Sequence, residues 1–194
     1  VYPVHSFYIS RFQVTQSLYD EVLNFNPSNY KNPASPVEMV SWFEAVEFCN
    51  ILSRLHHLKP YYQSPDTEPQ CDHEANGYRL PTESEWEFAA AGGKLSHGFI
   101  YPGSHQLDQV GWYKNNSNGT THPVGLKAPN ELGIFDMSGN VWEWCFDPGP
   151  DSTTRVYKGG SFLDFEYACT ISSHGHRPPN LKQIDIGFRL VKNI

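Results

Sequence analysis

Four cysteines, nine histidines and a scatter of serines and carboxylates are the side chains in this 194-residue chain that could do chemistry. Cys49, Cys71, Cys145 and Cys169 form no CxxC pair, so neither a zinc knuckle nor a disulfide scaffold is written here. Cys49 falls on an apolar helix face and Cys145 follows Trp144 in an apolar run; both read as buried free thiols. His56 and His57 are adjacent on a helix and cannot share one face. His174 and His176 could approach one ion if extended, but no third ligand stands near them in sequence, so they read as binding surface. No Gly-x-Ser-x-Gly elbow or other ordered triad signal is present, which leaves nucleophilic catalysis little support.

The elements that must carry these residues follow from composition and spacing. Only 18% of residues are charged, too few for a charge-solvated disordered chain, and the length suits one domain spanning 1–194. A net charge of -7 without any basic run argues against nucleic-acid binding, and no apolar window approaches the roughly 18 residues of a spanning helix, so direct membrane insertion is not expected. Aromatics at 14%, with 15 Gly and 15 Pro, describe large packing units set among many turns. Phe7 to Val14 reads as a strand. A helix opens at Thr15 and runs to about residue 24. A second, capped by Ser41, carries the stripe Trp42, Ala45, Val46, Cys49, Leu52 and Leu55 and runs to about 57. Lys59 to Asn76 is aperiodic and predicts an exposed loop, after which Thr82 and Glu85 form a capping box on a helix that Gly92-Gly93 stops. Beyond Gly93 short apolar pieces alternate with turns. Helices early and short strands late make the fold class α+β.

Three clusters, Gly77-Tyr78-Arg79-Leu80-Pro81-Thr82-Glu83-Ser84-Glu85-Trp86, Asn130-Glu131-Leu132-Gly133 through Gly139-Asn140-Val141-Trp142-Glu143-Trp144, and Gly159-Gly160-Ser161 with Ile186-Gly187-Phe188-Arg189, resemble in this order the formylglycine-generating-enzyme (sulfatase-modifying factor) family. The resemblance implies a C-type-lectin-like single domain, low in regular secondary structure. The family holds copper oxidases, iron-dependent relatives and members that only bind, so fold does not settle function. In the oxidase two cysteines hold copper; the matching positions here are Asp164 and Cys169, one thiol short of a soft two-thiolate site, so no copper is expected. Ser161 and Trp142 also match residues near that active site and read as scaffold. The family's turn at Asp136 to Glu143 implies a structural calcium ion, held by the Asp136 side chain, the Gly139 and Val141 carbonyls and Glu143. A second calcium loop of the family is shortened here between Val110 and Val124.

Residues 162–185 depart most from the family. Cys169, Ser172 and Pro179 keep its fixed points, while Leu163, Asp164, Phe165, Tyr167, Ala168, Ser173, Gly175, His176, Arg177, Pro178, Asn180, Leu181, Gln183, Ile184 and Asp185 form a chemically mixed set. It looks like the variable segment of proteins diversified by retroelements, in which randomised adenines exclude Met, Trp, Lys, Gln and Glu; only Gln183 breaks that rule. The resulting expectation is a non-catalytic, receptor- or adhesin-like module. It acts as a monomer at a bacterial cell surface or outside the cell, any signal or anchor having been lost before Val1, and presents these fifteen residues to a protein or glycan. The alternative is a cysteine- or iron-dependent oxidase with Cys169 as its reactive group.

Overall fold

The structure, a computed structural model, describes residues 6–63 and 69–194. Strand β1 (Phe7–Ile9) is shorter than the Phe7 to Val14 run predicted. Ser10 to Val14 instead stays close to the chain's end through single bonds, Ser10 N–H donating to the Leu190 carbonyl at 2.8 Å and Val14 N–H to that of Phe188 at 2.9 Å. Helix α1 (Gln16–Leu23) starts where Thr15 accepts the Leu18 N–H and stops at Asn24, whose left-handed φ of 54° turns the chain away. Helix α2 (Trp42–Leu55) has a full capping box, Ser41 and Glu44 each accepting the other's backbone N–H. Its buried face includes Phe48 as well as the predicted stripe, whereas Leu55 is 56% exposed. Phe48 stacks on Tyr19 of α1, with ring centroids 5.3 Å apart, and meets Phe188 edge-on.

The stretch predicted as an exposed loop is partly structure. Strands β2 (Tyr62–Gln63) and β3 (Gln70–Cys71) pair in a short hairpin whose tip lies outside the described residues. Tyr61, Tyr62 and Ala75 are buried, so this region is held by its aromatic side chains. Strand β4 (Tyr78–Arg79) leads into α3 (Glu83–Ala90), capped by the Thr82–Glu85 box. Glu85 also accepts two bonds of 2.7 Å from the Arg79 guanidinium. Beyond Gly93 only one turn of α-helix, α4 (Leu107–Val110), and two short 3₁₀ turns occur among the described residues.

The remaining strands are β5 (Trp142–Pro148), β6 (Arg155–Lys158), β7 (His174–Arg177), β8 (Ile186–Gly187) and β9 (Val191–Asn193). They make a four-stranded sheet in the order β7-β6-β5-β8, with β8 parallel to β5, and a three-stranded sheet β1-β9-β4 that pairs the first strand with the last. Helices gathered in the first half, with small, mostly antiparallel sheets that hold the later strands, make the class α+β. Three indole N–H groups peg the layers together. Trp42 donates to the Cys145 carbonyl at 2.8 Å, Trp144 to that of Val40 at 3.0 Å, and Trp86 to Glu143 at 2.6 Å. Each ring is fully buried, so its one polar atom has to find a partner inside the protein.

Candidate functional site

The sequence points to two regions, and the structure treats them differently. The first is the turn from Asp136 to Glu143. Glu143 and Arg189 form a buried ion pair, with Nε donating at 2.6 Å and Nη2 at 2.7 Å to the two carboxylate oxygens. Arg189 spends its remaining donors on the carbonyls of Ser10 and Phe135, at 3.1 and 3.0 Å. Strands β8 and β9 are separated by Phe188 to Leu190, and from that break Arg189 enters the core. The four residues assigned to calcium do gather oxygens around one point, but Gln13 Nε2 occupies it. Its two N–H groups are shared among four acceptors, the carbonyls of Val141 at 2.9 Å, Asp136 at 3.2 Å and Gly139 at 3.5 Å and Glu143 Oε1 at 3.0 Å. Asp136 contributes its carbonyl rather than its carboxylate, which turns away to accept the Gly125 N–H at 2.7 Å. As arranged, the residues do not fit a cation: a protein nitrogen fills the centre, and the Glu143 carboxylate it meets is already neutralised by Arg189, while Asp136 keeps one buried carboxylate oxygen, Oδ1, without a partner. Nothing in the residue pattern marks Gln13, an isolated polar residue between Phe12 and Val14.

The second region is the 162–185 segment, where the fifteen predicted residues divide into three groups. Leu163, Phe165, Tyr167, His176, Arg177, Pro178 and Asn180 are exposed, Tyr167 at 76%. Ser173, Leu181, Gln183 and Ile184 are half-buried. Four residues belong to the frame, contrary to expectation. Ala168 is buried, and at Gly175 a Cβ would lie 2.4 Å from the Tyr157 ring. Asp164 accepts from Trp142 Nε1 at 2.8 Å and from Ser161 Oγ at 2.5 Å, while that hydroxyl lies 3.4 Å from Asp185 Oδ2. These carboxylates therefore face Trp142 and Ser161. The backbone is pinned from outside: the N–H groups of Lys114, Met39 and Trp42 donate to the carbonyls of Asp164, Gln183 and Pro179 at 2.9 Å each. On this frame the Phe165 and Tyr167 rings lie 6.4 Å apart at 26°, with the Lys114 ammonium 4.2 Å from the Phe165 centroid. Together with Asn115 and Glu166 they line an open cleft of about 410 Å³.

The two positions that match the oxidase's copper cysteines are Cys169 and Asp164. Cys169 is fully buried, and burial, reinforced by the nearby charges of Asp164 and Glu166, pushes its thiol up to about 12. A thiol held in that form is a poor nucleophile and a poor metal ligand. Its partner position, Asp164, is a hard carboxylate already engaged by two donors, so the pair does not fit copper. His174 and His176 are extended on β7, yet His174 Nδ1 lies 3.1 Å from Glu83 and His176 Nδ1 lies 3.4 Å from Thr154 Oγ1. Among the described residues no group of three or more His, Cys, Asp or Glu is arranged to hold a metal ion.

Beneath the segment lies an acidic layer. Burial raises the Asp185 carboxyl above its ordinary range, with Asp164 adding to the effect. Glu38 is fully buried; it accepts the Tyr30 N–H on one oxygen and has no hydrogen-bond partner on the other. Burial pushes it up to about 7; the charge of Asp185 acts in the same direction, and the Tyr30 N–H and Lys31 oppose it. A carboxyl raised in the folded state contributes stability that is complete below its unfolded pKa, about 4.3 for Glu, and is lost as pH rises through its folded value. The urea midpoint should therefore fall between about pH 5 and 7.5, by on the order of 1–3 kcal/mol in stability, and Glu38→Gln should flatten that slope. An unchanged slope in Glu38→Gln would show that Glu38 does not titrate over this range.

Comparison with known proteins agrees with the fold. The sulfatase-modifying factor enzyme 1-like domain matches residues 1–194. A chaperone protein LppX of Paenibacillus barcinonensis is 39% identical over 225 residues, covering 96% of this chain and 80% of that protein. A formylglycine-generating enzyme of Thermomonospora curvata is 36% identical over 58% of this chain and 48% of its own length. Among solved structures, Treponema denticola variable protein 1 superposes with a TM-score of 0.88 at 31% identity, covering 96% of this chain and 84% of that one.

Proposed function

The chain belongs to the sulfatase-modifying factor enzyme 1-like domain family, and from that premise we propose that it is a non-catalytic ligand-binding member. The observation that carries this reading is the contrast within one segment. The aromatic and basic side chains Phe165, Tyr167, His176 and Arg177 are exposed on a backbone pinned from outside, whereas the one thiol, Cys169, is buried. Exposed aromatic rings with few rotatable bonds give contact area at low entropy cost, and mobile polar side chains beside them give specificity. Its likeness to Treponema denticola variable protein 1 supports reading the exposed positions as diversified, and the relative named as a chaperone fits a binding task equally well. The ligand is a protein or a glycan, met by a monomer displayed at a bacterial cell surface.

The oxidase alternative is tested directly. Incubation with copper, a reductant and a cysteine-containing sulfatase-type peptide should yield no aldehyde, because Asp164 replaces a thiolate and Cys169 is protonated and enclosed. Aldehyde formation abolished by Cys169→Ser would overturn the proposal.

A further inference from the structure

We infer that Gln13 replaces a divalent cation in this chain: its side-chain amide closes the Asp136 to Glu143 turn, and no calcium binds there. Its one NH₂ group faces three main-chain carbonyls and one carboxylate oxygen at 2.9 to 3.5 Å. These are hydrogen-bond lengths, well outside the roughly 2.3–2.6 Å of calcium–oxygen bonds. Turning the amide over would aim Oε1 at four acceptors, so the cage itself selects the orientation seen and leaves Oε1 buried without a partner.

Charge points the same way. Glu143 is the carboxylate bonded to the Gln13 amide, and Arg189, bonded at 2.6 and 2.7 Å and equally buried, already balances it; the other buried carboxylate, Asp136, accepts the Gly125 N–H through Oδ2 and has no partner on Oδ1. A dication beside this neutral pair would have Asp136 alone as counter-charge, and uncompensated charge inside the protein is costly; the amide adds no charge. The cage also has fixtures of its own. Gly139 lies at φ 73° with its N–H donating to the Gly159 carbonyl at 2.8 Å, and a Cβ there would fall 2.0 Å from the Trp112 carbonyl. Gln13 spans more than 120 residues of sequence to reach this turn, so one neutral side chain does the cross-linking an ion would do. Ligand recognition by the exposed segment should accordingly be indifferent to chelators.

The test uses the full chain, with calcium as the probe. After chelation, titration with millimolar calcium should move neither the unfolding temperature nor the side-chain amide resonances of Gln13 in a nitrogen–proton NMR spectrum. Gln13→Glu, which supplies the missing negative charge and a fifth oxygen, should acquire a calcium-dependent rise in unfolding temperature that grows with concentration. If that variant folds only when calcium is present, the same conclusion follows. Displacement of the wild-type Gln13 amide resonances by calcium would overturn the inference, as would a Gln13→Glu variant that folds yet takes no calcium.

Discussion

Arg189→Ala should cost about 3–5 kcal/mol in a chemical-denaturation measurement, because it leaves Glu143 as an unpaired charge in a site with no access to water. Two further donors depend on the same carboxylate, the Trp86 indole and the Gln13 amide, and they limit what can compensate. Replacing the pair together by apolar residues, which is often neutral elsewhere, should here remain destabilising, since Trp86 Nε1 and Gln13 Nε2 would lose an acceptor inside the core. Arg189→Lys should recover only part of the loss. An ammonium cannot bond both carboxylate oxygens in the planar fork and also reach the Ser10 and Phe135 carbonyls. A cost below about 1 kcal/mol for Arg189→Ala would mean that the pair is not the enclosed junction described.

The opposite stability result is expected on the display face. Replacing Phe165, Tyr167, His176 and Arg177 together with Ala should change stability by no more than about 1–2 kcal/mol, since each is exposed and the backbone beneath is held by other residues. Any ligand selected by the parent protein from a peptide or glycan panel should lose measurable affinity for this variant. The contrasting control is Trp142→Ala, at about 3–5 kcal/mol. Its ring is buried, packs edge-on against Tyr157 at 4.8 Å and donates to Asp164. A fourfold variant that unfolds would place these side chains in the core; one that folds and keeps full affinity would move the binding site elsewhere.

What could be read from sequence was what depends on near neighbours. The Thr82–Glu85 capping box and the α2 stripe involve partners within a few turns of helix, and both appear as expected, except that Leu55 faces water and Phe48 does not. The failures concern partners far apart in the chain. Asp164 and Asp185 look like display residues because nothing local shows that Ser161 and Trp142 turn them inward. Gly175 looks substitutable until the Tyr157 ring is found against it. Gln13 carries no local signal, as its acceptors lie 123 to 130 residues away. The Lys59 to Asn76 stretch reads as exposed because its buried residues, among them Tyr61, Tyr62 and Ala75, follow no periodicity.

Pairing of β1 with β9, Phe7 opposite Asn193 and Ile9 opposite Val191, also sets an order of events in biosynthesis. Within this domain β1 has to wait for β9, and Arg189 reaches Glu143 only once the domain's last strands are being made. Closing so long a loop costs conformational entropy before any contact repays it, which favours slow, late completion of this sheet. Helices α1 and α2 can form locally during translation, but the polar junction cannot be completed before Arg189 has left the ribosome. A chain truncated before Arg189 should therefore be protease-sensitive at strand β1, and one that includes β9 should be protected there.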